Sequence, residues 1–338
     1  MEKNGVCVFG SLNIDLTVRL ERFHVPGETV TGRSFHTFTG GKGGNQAVAA
    51  ARLRARTAMI ACLGQDANGD MYRRVLENEG VDTALVRAVP GETSGVALIE
   101  VDDAGENRIA IVSGANACLS AEHAREAREA IARCRCLLLQ LETPLEGVME
   151  AARMAREAGS VVILDPAPAR PLPDELLALC DYLTPNETEL NTLTGMSADS
   201  EENAVAACRS LLARGAGAVI NKRGAKGALL VTRKETLNAP GFRVNAVDTT
   251  AAGDTFNAGF AVGLDRGWSV EEALRLANAA AAISTTALGA QPAMPEGSKA
   301  LALLNNGEWG MGNSGLSEKT SSVPAAPDEV ARPQPRLS

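Results

Sequence analysis

Aromatic residues make up only 3% of this chain, with seven Phe, two Trp and two Tyr. So small a supply argues against a nucleoside substrate, whose base would want an apolar or aromatic platform. Basic residues are outnumbered, 33 Lys and Arg against 41 Asp and Glu, for a formal charge of −8. That balance argues against nucleic acid or an anionic membrane as a partner, although a local anion site can still hold ATP. The three histidines, His24, His36 and His123, form no metal-ligand spacing and no compelling Ser-His-Asp set. Seven cysteines make an odd count without a CxxC, and Cys134 and Cys136 are too isolated for a closed zinc site. They read as buried small residues of a reducing compartment. No run approaches a membrane span, and no basic segment followed by a long apolar stretch precedes the first strand. A cytoplasmic location is expected. There is no Walker A motif, and no GxGxxG follows the first strand, which argues against a dinucleotide oxidoreductase.

What is present is a chain of 338 residues, 45% hydrophobic, long enough to bury a large core. Short apolar runs alternate with helical patterns. Strands are expected at Gly5–Gly10, Ala58–Leu63, Leu137–Leu141, Val161–Asp165, Tyr182–Thr184 and Ala218–Asn221. Helices are expected at Asn45–Arg54, Ser120–Arg133, Leu145–Ala158, Asp199–Arg214 and Ser269–Thr285, the last opened by a Ser269–Glu272 capping box. This alternation predicts an α/β fold with a parallel sheet covered on both faces. Residues 12–38 and 93–112 break the rhythm with β-branched and alternating runs, and Asp103–Asn107 has turn composition. They predict a second, small sheet that would serve as a lid, a dimer interface, or both. The expected layout is one domain over 1–305, this lid within it, and a disordered tail over 306–338.

Chemistry gathers at strand ends and glycine-rich turns. In Asp248-Thr249-Thr250-Ala251-Ala252-Gly253-Asp254, a turn opens a helix, with Gly253 expected to make it tight. The amides of Ala251, Ala252 and Gly253 can hold an anion, and Asp254 can take a proton from a hydroxyl. The same pattern also fits an aspartate that merely stabilises its own helix start. Gly40-Gly41-Lys42-Gly43-Gly44-Asn45 forms a second flexible nest, with a helix expected from Asn45. Asn13 and Asp15 follow the first strand two residues apart, so both can face one side as partners for a polyol; an Asx turn fits them too. Glu142 and Asp165 are further strand-end carboxylates, and Asp165 could simply order the proline-rich loop after it. Asn186 and Glu189 open a helix and suit phosphate and water-bound magnesium, or simply a first-turn cap. The loop Lys222-Arg223-Gly224-Ala225-Lys226-Gly227 suits nucleotide phosphates, or is a solvated turn.

Two signatures, Gly40 to Ala47 and Asp248 to Asn257, make the chain closely resemble the PfkB, or ribokinase-like, carbohydrate kinase family. The likeness runs from about Gly5 to Leu303 and includes Gln140–Pro144, Asp165–Ala169, Asn186–Glu189 and Gly289–Pro292. It implies a Rossmann-like three-layer α/β/α domain with a small β-sheet lid that pairs subunits into a homodimer. It implies ATP-dependent phosphorylation of D-ribose at O5, with 2-deoxy-D-ribose or fructose as alternative sugars. By the resemblance Asp254 is the base and Ala251, Ala252 and Gly253 form the anion hole. Asn13, Asp15, Gly41, Lys42, Gly43, Gly44, Asn45 and Glu142 lie on the sugar. Asn186, Lys222, Arg223, Gly224, Ala225, Lys226, Gly227 and Asn278 lie on the nucleotide. Magnesium (Mg2+) accompanies the phosphates, and Asp248, Thr250, Ser284, Ala287, Gly289 and Ala293 match a carbonyl-lined loop for potassium (K+). Lys222-Arg223 depart from the family's usual small polar and hydrophobic pair, and Gly44 replaces a common alanine, which suggests added freedom in the sugar loop.

Overall fold

The structure is a computed structural model that describes residues 3–306, so the tail expected over 306–338 lies outside the described residues save for Asn306. In chain order the strands are β1 (Val6–Phe9), β2 (Asn13–Arg19), β3 (Ser34–Gly40), β4 (Thr57–Gly64), β5 (Asp82–Val89), β6 (Gly95–Val101) and β7 (Asn107–Val112). They continue with β8 (Cys136–Leu139), β9 (Val161–Leu164), β10 (Tyr182–Leu183), β11 (Ala218–Lys222), β12 (Ala228–Val231) and β13 (Thr236–Ala239). Among the described residues they form two sheets, ordered β13-β12-β11-β10-β9-β8-β1-β4-β5 and β3-β2-β6-β7.

Seven strands of the large sheet, from β11 through to β5, run parallel, and β12 and β13 close one edge antiparallel. The strand residues alternate between two cores: Val6 and Val8 pack with the helices Lys42–Arg52 and Ala252–Asp265 on one face. Cys7 and Phe9 pack with the helices Leu145–Ala158 and Glu201–Ala213 on the other. This is the period-2 side-chain alternation of a sheet buried on both faces. The helix Leu145–Ala158 has the predicted bounds, and its end is a left-handed Gly159 (φ 76°). The predicted helix over 120–133 is two short ones, Ala121–Glu126 and Arg128–Arg133, because Ala127 (ψ 7°) breaks the α-helical path between them. The Ser269–Glu272 capping box is present in both directions.

The small sheet is built from the two irregular regions. Its register puts Asp15, Phe38, Ala97 and Ile111 on one face, and Leu16, Thr37, Leu98 and Ala110 on the other. Because β2 follows β1 directly, Asn13 and Asp15 stand where the two sheets meet. The sheet is poorly covered: Phe35, Leu98, Ile109, Ile111 and Val112 are each at least half exposed.

Candidate active site

The site lies at the carboxyl ends of the parallel strands, the usual place for a ligand in an open α/β sheet. Asp254 sits in the first turn of the helix Ala252–Asp265 and is buried. Its Oδ2 accepts from Asn45 Nδ2 at 2.9 Å, and its Oδ1 from Gln46 Nε2 at 3.1 Å. Burial pushes its pKa up to about 6; Asp165 adds to the rise, while Lys42 and the two amide donors oppose it. A carboxylate so placed is basic enough to accept a proton at neutral pH.

The turn before it differs from expectation. Gly253 lies inside the helix, and the left-handed residue is Ala251 (φ 59°) at the N-cap. Ala252 N–H donates to Thr249 O and Thr255 N–H to Ala251 O, but among the described residues the amides of Gly253 and Asp254 between them donate to no backbone oxygen. They are the orphan donors of a helix start, and they open into the cleft. A β-carbon at Gly253 would stand 3.3 Å from Lys222 Nζ, a tight contact with the end of a flexible side chain.

The glycine-rich loop also begins its helix earlier than expected, at Lys42, with Gly41 (φ 79°) as N-cap. A β-carbon on Gly41 would meet Asn13 N at 2.7 Å, so the left-handed turn and the close approach both require glycine. Glu142 Oε2 accepts from Lys42 N at 3.0 Å and from the Ser11 hydroxyl, tying this loop to the end of β1. Gly43 and Gly44 continue the tie through Ser11. Gly44 does not add freedom. It makes room for Tyr72, whose hydroxyl would lie 2.0 Å from a β-carbon at residue 44. That hydroxyl donates to Gly40 O and accepts from Gln291 Nε2 at 2.8 Å.

Asn13 Oδ1 accepts from Asn116 Nδ2 at 2.7 Å, which fixes the amide and leaves its donors for a ligand. The Asp15 carboxylate has no hydrogen-bond partner among the described residues. Burial, then Glu142 and Asp254, raises its pKa to about 7. Lys42 faces the same acids. Burial works to lower its pKa, but Asp254, Asp165 and Glu142 outweigh it and the net shift is upward.

Beside this polar pocket runs a cleft of about 700 Å³, whose lining combines the polar or charged Lys42, Asp165, Asn186, Lys222 and Asp254 with the apolar Phe242, Val244, Ala246 and Ala281, and includes Gly253. Gly224, Ala225 and Gly227 line it too, but Arg223 and Lys226 do not. Arg223 is buried on Glu201 Oε2 (2.9 Å) and Asn238 Oδ1 (2.7 Å), and Lys226 faces Glu187. Asn186 and Glu189 form a reciprocal capping box, Glu189 N–H to Asn186 Oδ1 and Asn186 N–H to Glu189 Oε2, both at 2.8 Å. Both residues still line the cleft. Burial raises the Glu189 pKa against the pull of Lys222. Asn278 Nδ2 donates to Ala239 O and Pro240 O, fixing one wall.

Asp248 staples two loops. Its Oδ1 accepts from Thr250 N (2.9 Å) and Oγ1 (2.6 Å), and its Oδ2 from Gly289 N (2.8 Å). Burial favours its neutral form, but the Thr250 hydroxyl and the two amides outweigh that, so its pKa is lowered. Ser284 donates instead to Ala281 O. Ala287 and Gly289 lie in the stapled loop, and Ala293 ends the short helical turn after it.

Several residues without an assigned role in the sequence prove to hold the site. Gln46 bridges Asp254, Asp165 (3.2 Å) and, through its Oε1, Gln140 Nε2 (2.7 Å). Gln46 and Gln140 both stand in the segments that carry the family likeness, which was the available signal. Tyr72, Asn116 and Phe242 lie outside any motif, and nothing local marks them.

The profile of the pfkB family carbohydrate kinases matches residues 3–297. A ribokinase of Haemophilus influenzae is 45% identical over 304 residues, covering 90% of this chain and 99% of its own. A deoxyribokinase of Salmonella typhimurium is 42% identical over 291 residues, covering 86% and 95%. Among solved structures, Arabidopsis thaliana ribokinase complexed with ribose and ATP superposes with a TM-score of 0.85 at 38% identity, covering 89% of this chain and 99% of that one. Thermotoga maritima ribokinase gives a TM-score of 0.82 at 40% identity, covering 90% and 100%.

Proposed function

This chain belongs to the pfkB family of carbohydrate kinases, and from that premise we propose that it transfers the γ-phosphoryl group of ATP to O5 of D-ribose, giving D-ribose 5-phosphate and ADP. The observation that carries the reading is the position of Asp254: buried, held by two side-chain amides, and set beside open helix amides where a polar pocket meets a cleft.

In this reading ribose enters the pocket under the small sheet. Asn13, Asp15, Gly41, Lys42, Gly43, Gly44, Asn45 and Glu142 bind or shape the place of the sugar. The Asp15 carboxylate, without a partner among the described residues, accepts hydrogen bonds from the sugar hydroxyls, which offsets the cost of its burial. ATP fills the cleft, its base against Phe242 and Val244 and its phosphates toward Asn186 and the 222–227 loop. Asn278 acts mainly by fixing the wall at residues 239–240. Asp254 accepts the O5 proton as O5 bonds to the γ-phosphorus and the bond to the β-phosphate oxygen breaks. The open amides of Gly253 and Asp254 stabilise the charge on the group in flight, whereas that of Ala252, expected to share this role, is held by Thr249 O. Closure of the small sheet excludes water from that step.

Magnesium, when bound with the phosphates, neutralises their charge. Among the described residues no group of three or more His, Cys, Asp or Glu side chains is placed to hold a metal. A water-mediated contact from Glu189, which lines the cleft, fits an ion that keeps most of its waters. Potassium fits the Asp248 staple: an anionic oxygen and backbone carbonyls are hard ligands, and the loop they order leads into Ala251. The exposed apolar residues of the small sheet suit a homodimer. All seven cysteines are free thiols, which suits action in the cytoplasm, and no described helix is long and apolar enough to cross a membrane.

The Salmonella deoxyribokinase, 42% identical to this chain against 45% for the Haemophilus ribokinase, keeps 2-deoxy-D-ribose as the second reading, with fructose behind it. ADP release with ribose, deoxyribose, fructose and adenosine, each in potassium and in sodium, tests this. Ribose should give the highest kcat/KM, and potassium should raise it. A preference for deoxyribose would move the substrate to the second reading, and activity on adenosine alone would refute both.

A further inference from the structure

Lys222 ends β11 with its ammonium inside the cleft. Its side chain is 12% exposed and that of Asp165 is 3% exposed, and Nζ stands 2.9 Å from Asp165 Oδ1. Asp165 is its one hydrogen-bond acceptor among the described residues. The same ammonium borders the open helix start, 3.3 Å from where a Gly253 β-carbon would be. The amides of Gly253 and Asp254, unpaired among the described residues, lie there too. A buried ion pair is seldom more stable than an apolar pair of the same volume. Its place in the cleft beside the open helix amides therefore points to a use beyond stability. Arg223, its basic neighbour, cannot share that use, since its guanidinium is fixed on Glu201 and Asn238.

We propose that Lys222 is a catalytic residue with an exchangeable partner. It rests on Asp165 in the empty protein, moves onto the γ-phosphoryl group when a nucleoside triphosphate binds, and stays with that group through transfer. The inference rests on the kinase reading above. The lysine keeps its proton throughout, so no bond to it forms or breaks. Its charge offsets the negative charge on the transferring oxygens together with the open amides. Asp165 stays behind as a positioning residue. Its Oδ2 accepts from Gln46 Nε2, the same nitrogen that donates to Asp254 Oδ1, so the carboxylate that releases the lysine is anchored to the base. ADP lacks the γ-phosphoryl group and leaves the ion pair closed.

Calorimetric binding without sugar tests this, comparing ADP with the β,γ-imido analogue of ATP in the full chain. The wild type should prefer the triphosphate analogue. Lys222→Met should lower that preference by about tenfold or more, with ADP affinity held within about threefold. Asp165→Asn keeps an oxygen for Gln46 but removes the competing charge, so it should raise the preference. Lys222→Met/Asp165→Asn leaves no lone buried charge. It should fold even if Lys222→Met alone does not, and show the same loss. In turnover, Lys222→Met should lower kcat by about 10²–10³-fold with the sugar KM little changed. An unchanged preference in the double variant, or none in the wild type, would overturn the proposal. A wild type that binds neither nucleotide would bring down the kinase reading itself, and this inference with it.

Discussion

Replacing Asp254 by asparagine removes the proposed base while keeping its shape. The carboxylate now accepts one hydrogen bond at each oxygen, from Asn45 and from Gln46. Asparagine keeps one acceptor and turns an NH2 group toward the other donor, so one buried hydrogen bond is lost, at a cost of about 1–3 kcal/mol. Against this stands relief of desolvation. Asp254 is raised from 3.8 to about 6, so holding it ionised in the folded protein costs about two pK units, or about 3 kcal/mol. The sign follows from the shift. A carboxyl with a raised folded pKa contributes stability below about pH 4, and that contribution is lost as pH rises through about 6. Asp254→Asn should therefore be relatively more stable at pH 8 than at pH 4, and the two changes should nearly offset at pH 8. Its Tm there should lie within about 5 °C of the wild type.

Turnover should not be spared. Without a group to take the O5 proton, kcat should fall by about 10²–10⁴-fold while sugar affinity changes little. The assay is ADP release coupled to NADH oxidation, run from pH 5 to 9. Wild-type kcat/KM should fall about tenfold per pH unit below about pH 6, as Asp254 takes up its proton. The residual rate of the variant should lack that limb. Turnover within tenfold of wild type in a folded Asp254→Asn protein would refute the assignment of the base. An acid limb that survives in the variant would assign the titration to another group, with Asp15 the first candidate.

Other substitutions separate space from chemistry. Gly253→Ala should hold or raise Tm, because alanine favours a helix interior by up to about 1 kcal/mol, yet it should cut kcat at least about tenfold by crowding Lys222 and the open amides; an unaltered kcat would mean that no group is bound there. Gly44→Ala, although it restores the residue common in the family, should cost about 1–3 kcal/mol in urea melts, since its β-carbon would overlap the Tyr72 hydroxyl; Gly44→Ala/Tyr72→Phe should recover part of that loss. Leu98→Asp and Ile109→Asp place a charge on opposite faces of the small sheet. Sedimentation should show a dimer in the wild type and a shift toward monomer in at least one of the two.

The alternation of buried runs with helices was enough to foresee the main sheet, because both-face burial leaves a plain apolar signature in each strand. Asn13 and Asp15 were legible as a pair for the same reason, since extended backbone puts alternate residues on one side. The small sheet showed itself by the absence of helical pattern. Local detail was less secure. Glycine's reputation for tight turns pointed to Gly253, yet the left-handed residue is Ala251. Gly44 suggested flexibility, whereas it answers a tyrosine 28 residues away in the sequence. Lys222 and Arg223 read as two equivalent cations, and only their neighbours separate them: Asp165 draws one into the cleft, and Glu201 with Asn238 draws the other away.

By itself the sequence determined the layers, the strand-end carboxylates and the two glycine-rich turns, because these follow from periodicity and from backbone geometry within a few residues. Only the tertiary structure decided that Gln46 joins Asp254 to Asp165, that Tyr72 and Gln291 brace the glycine-rich loop, and that Asp254 is buried with a raised pKa. Those properties depend on groups up to about 250 residues apart meeting where water is excluded, and no local pattern encodes such a meeting.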